Sequence, residues 1–268
     1  MRKVAVIGYG SIGAAIANAL KPPSQDRLAL SAVLVRPDGA GKPSKAADGI
    51  PFVTNMEALL ASDPDIVVEA ASHEAVAQFG VAVLRAGKCF HVLSAGALTD
   101  DRLRRRLEEA AAQGSARLLI LAGALAGFDG LLSMRASGLR SVKYTCTKPV
   151  CAWRGTIAES LTSLDDVKGQ QIIFSGNARE AANAFPQNAN LAAAVALAGL
   201  GFERTRVELV ADSESEENKA RLEAETESER LDVSFVGLPF RGNPKSSRVT
   251  AMSAIAVLED QAKLIGFS

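Results

Sequence analysis

Gly8-Tyr9-Gly10-Ser11-Ile12-Gly13 has the pattern G-x-G-x-x-G and follows directly on an apolar run at residues 4–7. In such a pattern Gly8 permits a tight turn, Gly10 lets the backbone approach a pyrophosphate, and Gly13 lets a helix pack closely on a strand. A helix opening at Ser11 and Ile12 offers free N–H groups and the positive end of its dipole to phosphates. The chemistry implied is dinucleotide binding, with Gly8, Gly10, Ser11, Ile12 and Gly13 as contacts. A glycine-rich turn with no ligand is the bland alternative, and the strand before and helix after argue against it. The next strand ends Val35-Arg36-Pro37-Asp38, where an acid for the ribose 2′-hydroxyl is expected. Arg36 there suits a 2′-phosphate, which tilts the cofactor from NAD toward NADP or toward both. Alternatively Arg36 is solvated and Asp38 reaches the ribose.

Other residues carry weaker signals. Ala71, Ser72 and His73 follow the strand at residues 66–70, and ligands bind at the carboxyl ends of such strands. All three are candidate cofactor contacts, with His73 as a wall of the site rather than a catalyst; otherwise His73 begins a helix and faces solvent. Ser94 ends the following strand and is a candidate substrate contact, but no base beside it makes it a nucleophile. Lys148 closes a strand between Thr147 and Pro149; it either holds a substrate carboxylate or imine or is a surface lysine. Asn188 and Asn190 open an apolar helix, where one of them caps it or both serve ligands. His91, inside a strand, is expected to be a satisfied core histidine. Cys89, Cys146 and Cys151 have no metal spacing, so no metal is expected, and three sparse thiols suit a reducing, cytoplasmic setting.

These residues need elements to hold them. Apolar runs at 4–7, 30–35, 66–70, 90–93 and 118–121 alternate with helical periods at 12–20, 56–61, 74–86 and 101–113. Continuous apolar strands between helices predict a Rossmann-type, doubly wound parallel sheet over residues 1–122. Beyond Gly123, strands at 141–147, 171–174, 206–210, 220–226 and 230–236, with helices at 178–184 and 189–200, predict a second α+β domain over residues 123–243. A last helix at 245–264 is expected to pack back on the first domain as part of a 244–268 segment, and the acidic run 212–217 is expected to be a solvated loop. Thirty basic residues balance thirty acidic ones in 268, and aromatics are only 5%. That balance argues against nucleic acid as a partner. Arg102, Arg104, Arg105 and Arg106, with Glu108 and Glu109, read as a solvated helix face. No apolar run is long enough to span a membrane, and the start of the chain has no secretory pattern.

Several stretches together resemble the L-aspartate dehydrogenase family. They are the glycine loop, Glu69-Ala70-Ala71-Ser72-His73-Glu74-Ala75-Val76, Val92-Leu93-Ser94-Ala95-Gly96-Ala97-Leu98, Gly123-Ala124-Leu125-Ala126-Gly127-Phe128-Asp129, Thr147-Lys148-Pro149, Gly176-Asn177-Ala178-Arg179-Glu180-Ala181, Phe185-Pro186-Gln187-Asn188-Ala189-Asn190, Leu197-Ala198-Gly199-Leu200-Gly201 and Asn243-Pro244-Lys245-Ser246-Ser247-Arg248. The resemblance implies a nucleotide domain joined to a substrate and dimerisation domain in a homodimer. The implied reaction is oxidation of L-aspartate by NAD or NADP to iminosuccinate, which hydrolyses to oxaloacetate and ammonia; in some members the imine feeds NAD biosynthesis. It also implies cofactor contacts at Ala124 and Asn190. Runners-up are a dehydrogenase or imine reductase for another small amino acid, and a catalytically silent NAD(P)-binding sensor.

The family uses a histidine as general acid/base in a pattern like Asn-x-His. The matching stretch is Asn218-Lys219-Ala220-Arg221-Leu222-Glu223, which puts Ala220 at that position. Alanine cannot move a proton. Three readings stay open: an introduced substitution that disables the enzyme, a natural subfamily with another base, or a shifted register in which Lys219 takes the role. The intact surroundings favour the first.

Overall fold

The computed structural model describes residues 1–21, 27–37, 50–186, 190–240 and 243–266. The chain forms two compact units, one of Met1–Leu121 with Ala251–Ser268 and one of Ala122–Thr250. In the first unit the order is β1 (Arg2–Ile7), α1 (Ser11–Ala19), β2 (Leu28–Leu34), β3 (Phe52–Val53), α2 (Met56–Ala61), β4 (Ile66–Glu69), α3 (His73–Arg85), β5 (Cys89–Val92), a 3-10 turn (Ala95–Thr99), α4 (Asp101–Gly114) and β6 (Leu118–Ile120). The expected doubly wound sheet is present: six parallel strands in the order β3-β2-β1-β4-β5-β6. Val4–Ile7 and the whole of β4, its closing Glu69 included, are buried, as strands covered on both faces must be. On α4 the buried residues Leu103, Leu107 and Ala110 recur at three and four, and the arginines between them face outward or half outward, Arg104 pairing with Asp101 at 2.9 Å.

The second unit contains α5 (Phe128–Ser137), β7 (Ser141–Pro149), a 3-10 turn (Val150–Trp153), α6 (Ala158–Leu161), a 3-10 turn (Leu164–Asp166), β8 (Gln170–Asn177), α7 (Ala178–Ala184), α8 (Asn190–Ala198), β9 (Thr205–Asp212), β10 (Asn218–Glu225), β11 (Arg230–Gly237), β12 (Pro239–Phe240) and β13 (Asn243–Ser247). Its main sheet has the order β11-β10-β7-β9-β8 and is mixed: β7 and β9 are parallel, and the other pairs are antiparallel. Alternate residues Val142, Tyr144 and Cys146 of β7, Val207 and Leu209 of β9, and Ala220, Leu222 and Ala224 of β10 are buried, and α5, α7 and α8 pack against this sheet.

Two expectations need correction, and one helix was not expected. The last helix, α9 (Arg248–Ala262), starts later than residue 245, because Asn243–Ser247 pairs with β12 as a hairpin strand. The polar run Lys245-Ser246-Ser247 has no apolar face to give a helix. Within the first unit, Ala254 and Leu258 of α9 join the core of Val4, Val6, Ile16, Val33 and Val68. The acidic run is not wholly a solvated loop: Asp212 ends β9, is buried, and accepts hydrogen bonds from Gln170 Nε2 and Glu214 N, each at 2.9 Å. Helix α5 went unread because only Leu131 and Met134 of its ten residues are buried, too few to set a period.

Candidate active site

One set of candidate residues, in the first unit, is built where β1 ends. Gly8 has φ +96°, and a Cβ on it would stand 2.8 Å from both Ala70 O and Ala71 Cβ; a Cβ on Gly13 would stand 2.2 Å from Gly8 O. These two glycines are needed for the turn and for the seat of α1 on it. Gly10 differs: among the described residues nothing lies within 4 Å of where its Cβ would be. Asn55, Ser72 and Asp100 cap α2, α3 and α4 with their side chains, whereas no side chain caps α1 at Gly10. Open space thus faces the uncapped N–H groups of a helix. It lies where β1 pairs with β2 on one side and β4 on the other, the point at which strand order reverses. That geometry fits a dinucleotide pyrophosphate over Ser11, Ile12 and Gly13. Arg36 is exposed just past β2; Asp38 lies outside the described residues.

Sequence reasoning missed Glu69, although it stands in the quoted motif. Glu69 ends β4 and is fully buried. Its Oε1 accepts the Ala71 amide at 2.7 Å and the Ser94 hydroxyl at 2.9 Å, and its Oε2 accepts the Ser94 amide at 3.0 Å. Burial pushes the Glu69 carboxyl above the usual carboxylate range, and these donors oppose that rise. Ser94, expected as a substrate contact, is buried with its hydroxyl directed at Glu69. Ser72 accepts the Ala75 amide at 3.3 Å as the cap of α3, Ala71 is exposed, and His73 is half-buried in the first turn. His91 is buried, but its Nδ1 has no hydrogen-bond partner among the described residues, so it is not the satisfied histidine expected. Burial, with the nearby Arg117 charge, holds its pKa down to about 4. The imidazole is therefore neutral near pH 7.

The second unit gathers another set. Ala220 on β10 lies opposite Cys146 of β7 and Phe235 of β11. Lys148 is two residues along from Cys146 and Asn218 two back from Ala220, so by strand alternation the four share a face. Lys148 is not a surface lysine: it is 7% exposed, with Nζ 5.9 Å from the centre of the Trp153 ring. Trp153 is itself fixed by donating Nε1–H to Val210 O at 3.2 Å. Both amide atoms of Asn218 are buried and, among the described residues, lack hydrogen-bond partners. Lys219 is exposed and alternates to the other face, which separates it from this group. Tyr144, on the same face, is pushed well above its usual pKa by burial and by Cys146, so it stays a neutral phenol. Gly123 has φ +64° and its missing Cβ would stand 2.9 Å from Leu191 Cδ2. The segment containing buried Ala124 thus meets the start of α8, where half-buried Asn190 is the first helical residue rather than a cap. Asn188 lies outside the described residues. Among the described residues no group of three or more His, Cys, Asp or Glu is placed to hold a metal.

The family model described as "Aspartate dehydrogenase, C-terminal" matches residues 129–261, and "Homoserine dehydrogenase, NAD binding domain" matches residues 8–121. The L-aspartate dehydrogenase of Serratia proteamaculans is 40% identical over 260 residues, 95% of each chain. The chain belongs to the aspartate dehydrogenase family. The enzyme of that name from Pseudomonas aeruginosa is 39% identical over 99% of each chain. The crystal structure of aspartate dehydrogenase from Thermotoga maritima superposes with a TM-score of 0.78 over all of both chains at 24% identity, which shows the shared fold. As a member of the aspartate dehydrogenase family the chain is an oxidoreductase, and its cofactor is NAD or NADP. Among the described residues no helix is long and apolar enough to cross a membrane.

Proposed function

We propose that this chain binds L-aspartate and NAD or NADP and catalyses oxidation to iminosuccinate, which water converts to oxaloacetate and ammonia, or the reverse reductive amination. The observation that carries the substrate is the placing, on one sheet face, of the buried lysine Lys148 and the buried Asn218 amide, which has no hydrogen-bond partner among the described residues. A cation and a neutral donor together suit a small dicarboxylate. The full-length likeness to enzymes named L-aspartate dehydrogenase supports the same substrate. The bound nicotinamide supplies the acceptor for the substrate's α-hydride. Gly10 and the N-terminus of α1 hold its pyrophosphate, with Ala71, Ser72, His73, Ala124 and Asn190 as further contacts. Exposed Arg36 favours the 2′-phosphate of NADP.

The amine must also lose a proton, and Ala220 offers no atom to take it. This chain therefore binds both ligands and turns over slowly, by about 10²- to 10⁴-fold relative to one with a general acid/base at that position. An introduced substitution of the family's histidine accounts for the otherwise intact stretch around it, and comparison with the natural gene tests that origin. The same alanine favours a second reading, a cofactor-binding sensor without turnover. Homodimerisation, which the family resemblance implies, and a cytoplasmic setting, which the three sparse thiols suit, complete the reading.

The experiment is absorbance at the reduced-nicotinamide band with L-aspartate and either NAD or NADP, and with oxaloacetate and ammonia in reverse. Slow turnover with aspartate supports the enzyme. Turnover only with other amino acids moves the substrate, and inertness with every amino acid in both directions favours the sensor.

A further inference from the structure

The dinucleotide crevice has a feature that the glycine loop does not explain. Glu69 is a carboxylate with no solvent exposure, and among the described residues no lysine or arginine pairs with it. Burying such a charge is costly unless every oxygen is hydrogen-bonded. Here three close donors converge on it from two loops, Ala71 N–H from the loop after β4 and Ser94 N–H and Oγ–H from the loop after β5, with the Ser72 backbone N–H a further, weaker one. Only an acceptor-only group satisfies all three at once. An amide of the same shape always turns its NH₂ toward either the Ala71 or the Ser94 N–H.

Topology says what those loops serve. Strand order reverses between β1 and β4, so a dinucleotide lies across that point with its adenosine half toward the end of β2 and its nicotinamide half over the loops after β4 and β5. The β4 loop also abuts the glycine turn, since a Cβ on Gly8 would stand 2.8 Å from Ala71 Cβ. We propose that Glu69 is a positioning residue for the nicotinamide half of the cofactor: by tying the backbones of Ala71 and Ser94 to one carboxylate, it fixes the surface on which that half rests. It acts through these loops. The proposal holds whatever amino acid is the substrate, and it rests on the dinucleotide reading of the glycine loop.

Titration calorimetry of the full chain with NAD and with ADP-ribose, which lacks the nicotinamide, tests it. Glu69→Gln is expected to raise the Kd for NAD about 10-fold, and Ser94→Ala, which removes one donor of three, about 3-fold. ADP-ribose affinity should stay within about twofold in both. A purely structural role would weaken both ligands equally, and that result, or unchanged NAD affinity, overturns the proposal. If Glu69→Gln does not fold, Ser94→Ala carries the same comparison. A parent chain that binds neither ligand would overturn the dinucleotide reading itself, and this proposal with it.

Discussion

Ala220 lies directly opposite Cys146 in the antiparallel pairing of β10 with β7. Its methyl group is 6% exposed, on the face that also carries Lys148 and Asn218. An imidazole there would stand beside the proposed substrate contacts. Ala220→His is expected to raise kcat by about 10²- to 10⁴-fold. The Kd for NAD should change by less than about twofold, because the glycine loop is untouched. The rate should also acquire a pH limb near the ordinary histidine value of about 6.5, falling below it as the base becomes protonated. Steady-state rates across pH check this, and a variant as slow as the parent removes position 220 from the chemistry.

Gly10 and Gly13 should respond in opposite ways to one methyl group. Gly13→Ala drives a Cβ to 2.2 Å from Gly8 O, so the turn or α1 must move, and a large loss of melting temperature is expected. Gly10→Ala meets nothing within 4 Å among the described residues and should melt like the parent. It instead intrudes on the space assigned to the pyrophosphate, and the Kd for NAD should rise by about 10-fold or more. Thermal melts with and without NAD separate the two effects.

Lys148 and Asn218 predict a dissection of substrate binding. Lys148→Met removes the cation and keeps much of the packing beside Trp153; the KM for L-aspartate should rise by about 10- to 100-fold. Asn218→Leu removes buried polar atoms that have no partner within the described chain. It should leave stability unchanged or raise it, yet raise the KM. An unchanged KM in both variants would place the carboxylate contacts elsewhere.

His91 makes the fold acid-sensitive. Its native pKa is about 4, below the ordinary value of 6.5 expected in the unfolded chain. The unfolded state therefore takes up the proton first, and stability falls as pH drops from about 6.5 toward 4. By pH 5 the loss should be about 2 kcal/mol. His91→Met removes this linkage, so urea denaturation at pH 7 and pH 5 should show a correspondingly smaller difference for the variant. An equal difference in both proteins would assign the acid limb to other groups.

Most elements of the first unit were legible because their causes are local; the two-residue edge strand β3 was not. The runs behind β1, β2, β4, β5 and β6 are mostly apolar, interrupted by Ser31, Glu69 and His91, α4 repeats its leucines at helical spacing, and the glycine loop names its own turn. The hairpin strand β13 was not legible, because a polar segment becomes a strand only through pairing with β12.

The same division runs through the site. By itself the sequence determined the alternating architecture and the dinucleotide loop, since each depends on residue type and near-neighbour spacing. Tertiary structure alone decided that Glu69 holds Ser94, 25 residues away, that Lys148 is buried beside Trp153, and that Asn218 shares its face. Burial and strand register are properties of chain segments distant in sequence, and the physical reason that pattern reading stops there is that no single segment contains both partners of the contact.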